Sequence, residues 1–129
     1  MPIQVTWGNT EKTYTCFKFT GNWTWTEYYQ SIKEGSALIQ DVPYTVNILI
    51  DFSEAKVLPS SILSNIDSSM RQPPRHFDLG VIVSTSPFLS VITNMIDRLY
   101  GKNGTHFKIY KTREEADRFL VEYDKTKTH

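Results

Sequence analysis

The strongest constraint in this 129-residue chain is the stretch Val46 to Ser61, VNILIDFSEAKVLPSS. Val46-Asn47-Ile48-Leu49-Ile50 runs into Asp51-Phe52-Ser53 and is apolar at successive positions rather than at alternate ones. A strand that is apolar toward both faces must be covered on both, the condition of a parallel sheet sandwiched by helices. The connector Glu54-Ala55-Lys56-Val57-Leu58 leads to Pro59-Ser60-Ser61 and a helical period. The stretch reads as a buried strand, a loop and a helix opening on serines.

The other segments fit such a sheet. Ile3, Val5 and Trp7 alternate with polar residues and predict a strand, and Gly8-Asn9 begins a turn. From Thr13 to Thr20, Thr15, Phe17 and Phe19 share one face while Tyr14, Cys16 and Lys18 share the other, a second strand hairpinned to the first. Thr24 with Glu27 makes a capping box, and Trp25, Tyr28, Tyr29, Ile32 and Ile39 recur at helical spacing until Asp41-Val42-Pro43. Ser61 to Met70 carries Ile62, Leu63, Ile66 and Met70 on one face, a short amphipathic helix ended by Pro73-Pro74. Phe77 to Ser84 is another buried strand. Ser86 caps and Pro87 opens a helix with the stripe Phe88, Val91, Ile92, Met95, Ile96 and Leu99, closed by Gly101. His106 to Tyr110 is a last strand. Thr112-Arg113-Glu114-Glu115 starts a last helix with Ala116, Phe119, Leu120 and Tyr123 inward, and Asp124 to His129 reads as a frayed polar tail. The expected fold is α/β: a mostly parallel five-stranded sheet with an antiparallel edge strand and four helices, in the order β-β-α-β-α-β-α-β-α. It forms a single domain over residues 1–129.

Composition removes several function classes. Fourteen Lys and Arg balance fourteen Asp and Glu, so no electrostatic footprint for nucleic acid is present. The single Cys16 excludes an intramolecular disulfide and a cysteine zinc cluster and reads as a small buried residue. No apolar run is long enough for a membrane span and no export signal is visible, so a reducing, cytoplasmic location is expected. There is no Walker loop, no G-x-G-x-x-G, no G-x-S-x-G and no metal-ligand spacing, so neither cofactor nor metal is expected.

In an open parallel sheet, ligands gather beyond the carboxyl ends of the strands. Here those ends carry Asp51, Ser53, Ser84 and Ser86, with Ser60 and Ser61 at the next helix start. These six residues form the candidate binding or phosphorylation site, because helix N-termini favour negative charge. Beside that reading stands the plainer one, in which Ser60, Ser61 and Ser86 only cap their helices and Asp51 is satisfied by loop amides. His76 precedes a strand and His106 begins one, the wrong edge to serve Ser60 or Ser61, so no hydrolytic triad forms. Catalysis is not expected; a hydrolase using Asp51 with the serines is the weakest alternative. Trp25, Tyr28 and Tyr29 read as core, Trp23 as a candidate exposed aromatic, and Arg71 and Arg75 as a solvated basic turn.

The order of elements, with a strand ending in aspartate and a helix opening on paired serines, resembles the STAS domain of bacterial anti-sigma factor antagonists, the SpoIIAA type. The hallmark D-[LF]-S, a connector, then D-S-S-G, is matched by Asp51-Phe52-Ser53 and Pro59-Ser60-Ser61-Ile62. Ser86-Pro87-Phe88, Arg98-Leu99-Tyr100 and Thr112-Arg113-Glu114-Glu115-Ala116 are similar in style to the divergent SpoIIAA-like group of small bacterial proteins, related in fold to CRAL-TRIO lipid-binding domains. The resemblance covers nearly the whole chain. It implies a non-catalytic regulatory protein-interaction domain whose partner is a regulatory protein, an anti-sigma factor or a kinase-like protein. It also places a phosphorylated serine at Ser61. Pro59 and Ile62 stand where the motif has aspartate and glycine, and these departures weigh against the phosphoswitch. The alternative it implies is a domain for a small apolar or anionic ligand or lipid, in a pocket between the sheet and the helices carrying Ile62, Ile66 and Met95.

Overall fold

The computed structural model describes residues 2–56, 64–65, 79–102 and 104–127. Five strands lie side by side in chain order: β1 (Ile3–Trp7), β2 (Tyr14–Gly21), β3 (Asn47–Ala55), β4 (Leu79–Val83) and β5 (His106–Tyr110). β1 pairs antiparallel with β2, and the other neighbours are parallel. This is the expected mostly parallel sheet with an antiparallel edge. Among the described residues there are three helices: α1 (Trp25–Ile39), α2 (Pro87–Gly101) and α3 (Arg113–Lys127). The fourth helix expected over Ser61–Met70 lies outside the described residues except at Ser64 and Asn65, whose backbone is helical.

Strand alternation decides which helix covers which face. Ile48, Ile50 and Phe52 of β3 face α1 and α2, together with Phe17 and Phe19 of β2 and Phe107 and Ile109 of β5. Leu49 of β3 faces α3, with Tyr14 and Cys16 of β2 and Leu79, Val81 and Val83 of β4. Both crossover helices, α1 and α2, thus sit on one face while the strand order advances in one direction, as crossovers of a single hand require. Cys16 is the buried small residue expected.

Two close fits hold this arrangement. The side-chain oxygen of Asn47 accepts the backbone N–H of Leu79 at 3.1 Å, tying the starts of β3 and β4 together in the interior. On the other face, Gly35 lets α1 sit directly on the Phe17 ring, since a Cβ at that position would lie 2.5 Å from Phe17 Cζ. A glycine in mid-helix costs about 1 kcal/mol relative to alanine, so its use here reflects packing and not helix propensity.

Gly35→Ala is therefore expected to lower stability by about 1–2 kcal/mol despite alanine's better propensity, because overpacking outweighs it. Urea unfolding measures this. In a Phe17→Leu background the same substitution should be neutral or stabilising.

Candidate functional site

The carboxyl edge of the sheet receives the starts of all three helices, and each start is closed by its own side chains. Thr24 Oγ1 accepts the Glu27 N–H while Glu27 Oε1 accepts the Thr24 N–H, a complete capping box. Ser86 Oγ accepts the Leu89 N–H at 3.2 Å, and Ser84 Oγ accepts the Ser86 N–H at 3.0 Å. Thr112 Oγ1 accepts the Glu115 N–H at 3.2 Å. Ser86 is thus the cap of α2, worth roughly 0.5–2 kcal/mol, and Ser84 closes the turn that leads into it.

Asp51 and Ser53 do not end their strand. β3 continues to Ala55, and the register with β2 slips between Lys18–Asp51 and Thr20–Glu54, so β3 carries one extra residue there. Asp51 Oδ1 accepts the Ser53 N–H at 2.8 Å, giving that amide a partner where the ladder is broken. Asp51-Phe52-Ser53 thus forms a bulge in this chain. Asp51 is 3% exposed and points to the α3 face, while Ser53 is exposed. Ser60 and Ser61 lie outside the described residues, so the six candidate residues are not seen together. Among the four described, Ser84 and Ser86 share one turn, and Asp51 and Ser53 share the bulge.

A cluster not anticipated from the sequence extends from Asp51 under α3. Tyr14 Oη donates to Asp117 Oδ1 at 2.7 Å. Arg113 Nε donates to both Asp117 oxygens at 3.1 and 3.0 Å, and its Nη1 stands 3.9 Å from Asp51 Oδ2. The Arg113–Asp117 spacing of four is the sequence signal that could have found part of it. Burial holds the Tyr14 hydroxyl well above the usual tyrosine range, and its bond to Asp117 and that residue's charge push the same way. Burial likewise raises the Cys16 thiol. The cluster is a structural latch: Tyr14 Oη and Arg113 Nε both donate to Asp117, with Asp51 within ion-pair distance. Among the described residues, no group of three or more His, Cys, Asp or Glu is placed to hold a metal ion. His106 opens β5 and meets Asp97 Oδ1 at 3.3 Å, at the edge opposite the serines.

Aromatic side chains fill the space between α1, α2 and the sheet. Trp23, read from sequence as a candidate exposed aromatic, is 3% exposed and packs edge-on to Phe19 and Trp25 at centroid distances of 4.7 and 4.8 Å. Beside it lies an apolar cavity of about 50 Å³, lined among others by Trp25, Phe52, Ile82, Ile92 and Thr93. Trp23 Nε1 is buried with no hydrogen-bond partner among the described residues. The cavity is far below the roughly 300–1,000 Å³ of pockets for drug-sized ligands. Met95, expected to line a pocket, is exposed instead.

The helix α2 has two apolar rows where the sequence suggested one stripe. Leu89, Ile92 and Ile96 are buried against the sheet. Phe88, Val91, Met95 and Leu99 are 39–64% exposed. Among the described residues, no helix is long and apolar enough to cross a membrane.

No family model matches the chain, and no curated protein matches it. Among solved structures it is similar to the crystal structure of an uncharacterized protein from the DUF3478 family with a SpoIIAA-like fold, from Shewanella loihica PV-4. The two are 17% identical, the match covers 92% of this chain and 91% of that one, and the TM-score is 0.68. At that identity the likeness shows the fold. The chain has a SpoIIAA-like fold, in agreement with the resemblance drawn from its sequence.

The latch predicts an alkaline limit to stability. A folded-state pKa raised above the unfolded value means stability that is complete below the unfolded pKa and lost as pH rises past it. Cys16 starts this loss near pH 9 and Tyr14 adds to it above about pH 10. Tyr14→Phe should cost about 1–2 kcal/mol at pH 7 and flatten the decline above pH 10, leaving the part due to Tyr110, which burial also raises. Urea midpoints between pH 7 and 11 measure both effects.

Proposed function

We propose that this chain is a non-catalytic, regulatory protein-interaction domain whose contact surface is the outer row of α2. The observation that carries this reading is the line Phe88, Val91, Met95 and Leu99, all large, apolar and exposed. At 100° per residue the four fall within an arc of about 80°, so they form one stripe along three turns. Single exposed apolar residues need no explanation, but a contiguous stripe marks a contact site. Its rim is polar to basic, with Asn94, Arg98 and Lys102 exposed. The SpoIIAA-like fold supports a STAS-like domain, and the antagonists it resembles act by binding proteins. The partner fitting such a stripe is a helix with an apolar face of the same period.

Leu99→Lys and Val91→Lys should leave stability within about 0.5 kcal/mol of the parent, as for exposed sites. A photoreactive residue replacing Val91 should capture protein in native host cells, and the same residue replacing exposed Arg118 on α3 should not. Equal capture at both positions, or at neither, would remove the support for α2 as the surface.

A second reading rests on Trp23. A buried N–H without a partner costs about 1–3 kcal/mol, which a bound acceptor within reach of Nε1 would recover, and Trp23 lines the cavity. The nearly all-apolar wall suits a ligand of a few heavy atoms with an apolar body and one acceptor, such as a short ketone or alcohol. Such compounds should raise the melting temperature of the parent and shift its tryptophan emission. An Ile92→Phe variant, with the cavity filled, should respond to neither. An unchanged parent would retire the reading.

A further inference from the structure

The outer row of α2 is nearly its own image under a twofold axis. The midpoint between Phe88 and Leu99 and the midpoint between Val91 and Met95 coincide to within half a residue, about 0.75 Å along the helix. One axis therefore serves both pairs. We infer that the occupant of this row is a second copy of the chain, its α2 laid antiparallel across the first about a twofold axis on the exposed face, level along the helix with positions 93 and 94. This rests on the reading of the row as a contact surface and names its partner. Phe88 of one copy then meets Leu99 of the other, Val91 meets Met95, and each contact occurs twice, as an isologous interface requires. Flexible Met95 adapts to the branched Val91.

Charge selects the antiparallel direction. The exposed cations here, Arg98 of α2 and Lys102 just after it, both lie toward its C-terminal end. Its one acidic side chain, Asp97, is held by the Phe107 N–H at 2.9 Å and by His106. A parallel pairing would set each cation beside its own copy with no carboxylate to offset it. The antiparallel pairing separates the two Arg98 positions by about 14 Å along the axis, beyond the Debye length of about 8 Å at physiological salt. It also sets the two helix dipoles head to tail.

Area sets the strength. Two patches of ordinary size, about 300–600 Å² each, bury on the order of 600–1,200 Å², the low edge for a specific interface. The dimer is therefore weak and forms with concentration, dissociating in the micromolar range.

Sedimentation velocity from about 5 µM to about 500 µM should show the parent passing from monomer to dimer across that range. The double variant Val91→Glu/Met95→Glu brings four carboxylates to the axis and should stay monomeric throughout, with an unchanged melting temperature. Mixing Val91→Cys and Met95→Cys chains under mild oxidation should give the mixed disulfide in excess over either symmetric one. A parent that is monomeric at every concentration overturns the second copy as occupant and leaves the contact-surface reading to its own test at Val91. A double variant that dimerises like the parent places the interface elsewhere, with the open β1 edge the first place to look, and also overturns the inference. A double variant that loses cooperative unfolding means the row is packed within its own chain, and that result overturns both readings. Predominance of the symmetric disulfides overturns the antiparallel arrangement.

Discussion

The double coverage of β3 is the constraint on which the rest of the structure depends. Its inner residues are covered on both faces: Ile48, Ile50 and Phe52 pack under α1 and α2, and Leu49 packs under α3. A strand so placed must satisfy every polar group without solvent, since a buried orphan costs more than a made hydrogen bond returns. Asn47 meets this demand at one end by accepting from Leu79, and Asp51 meets it at the other by accepting from Ser53. The polar residues bracketing the apolar run are therefore part of the sheet's own bonding. They set where β4 begins and where β3 slips against β2.

The two faces are held by different physics. On the α1 and α2 side, aromatic rings interlock, with Phe19 and Phe52 at 4.6 Å and Trp25 edge-on to Tyr28 at 5.1 Å. Among the described residues one helix covers the other side of the sheet, and those it buries fully are Ala116 and Leu120. The Tyr14–Asp117–Arg113 latch adds direction to that modest apolar contact. Partly buried ionic groups contribute little net stability, because desolvation cancels much of the attraction. What they contribute here is register: Asp117 meets Tyr14 and Arg113 approaches Asp51 only when α3 lies at one height along the strands. α3 also runs through Asp124 to Lys127, where the sequence suggested a frayed tail.

Much of this order was legible because local chemistry wrote it. Capping boxes at Thr24 and Thr112, and Ser86-Pro87 before an apolar period, specify helix starts within a few residues of chain. Strand faces followed from simple alternation in β2. The misreadings share a cause: each depended on contacts distant in sequence. Asp51-Phe52-Ser53 looked like a strand end because its polar residues are those of turns, and only the register against β2 reveals a bulge. Trp23 lies outside every periodic pattern, so nothing local shows that it is buried against Phe19. Periodicity marked both rows of α2 as apolar but carries no information about which of them a neighbour covers. Ser86 was legible as a cap, and the structure places it in that role.

The exposed row of α2 follows from topology. Strand order advances in one direction from β1 to β5, and the two described crossover helices, α1 and α2, line one face with α2 the later of them. The next helix, α3, crosses to the opposite face instead of packing beside it. Among the described residues, α2 therefore buries one flank on β5 and α1's aromatic neighbours, and keeps a second flank open. The fold asks only that the buried flank, Leu89, Ile92 and Ile96, be apolar. Lysine, glutamate or serine would serve the open flank equally well for folding and better against unwanted association. Four large apolar side chains at consistent spacing where the fold does not need them are a cost in solubility with no return inside the described core. Their purpose is accordingly sought in what the helix meets outside the chain.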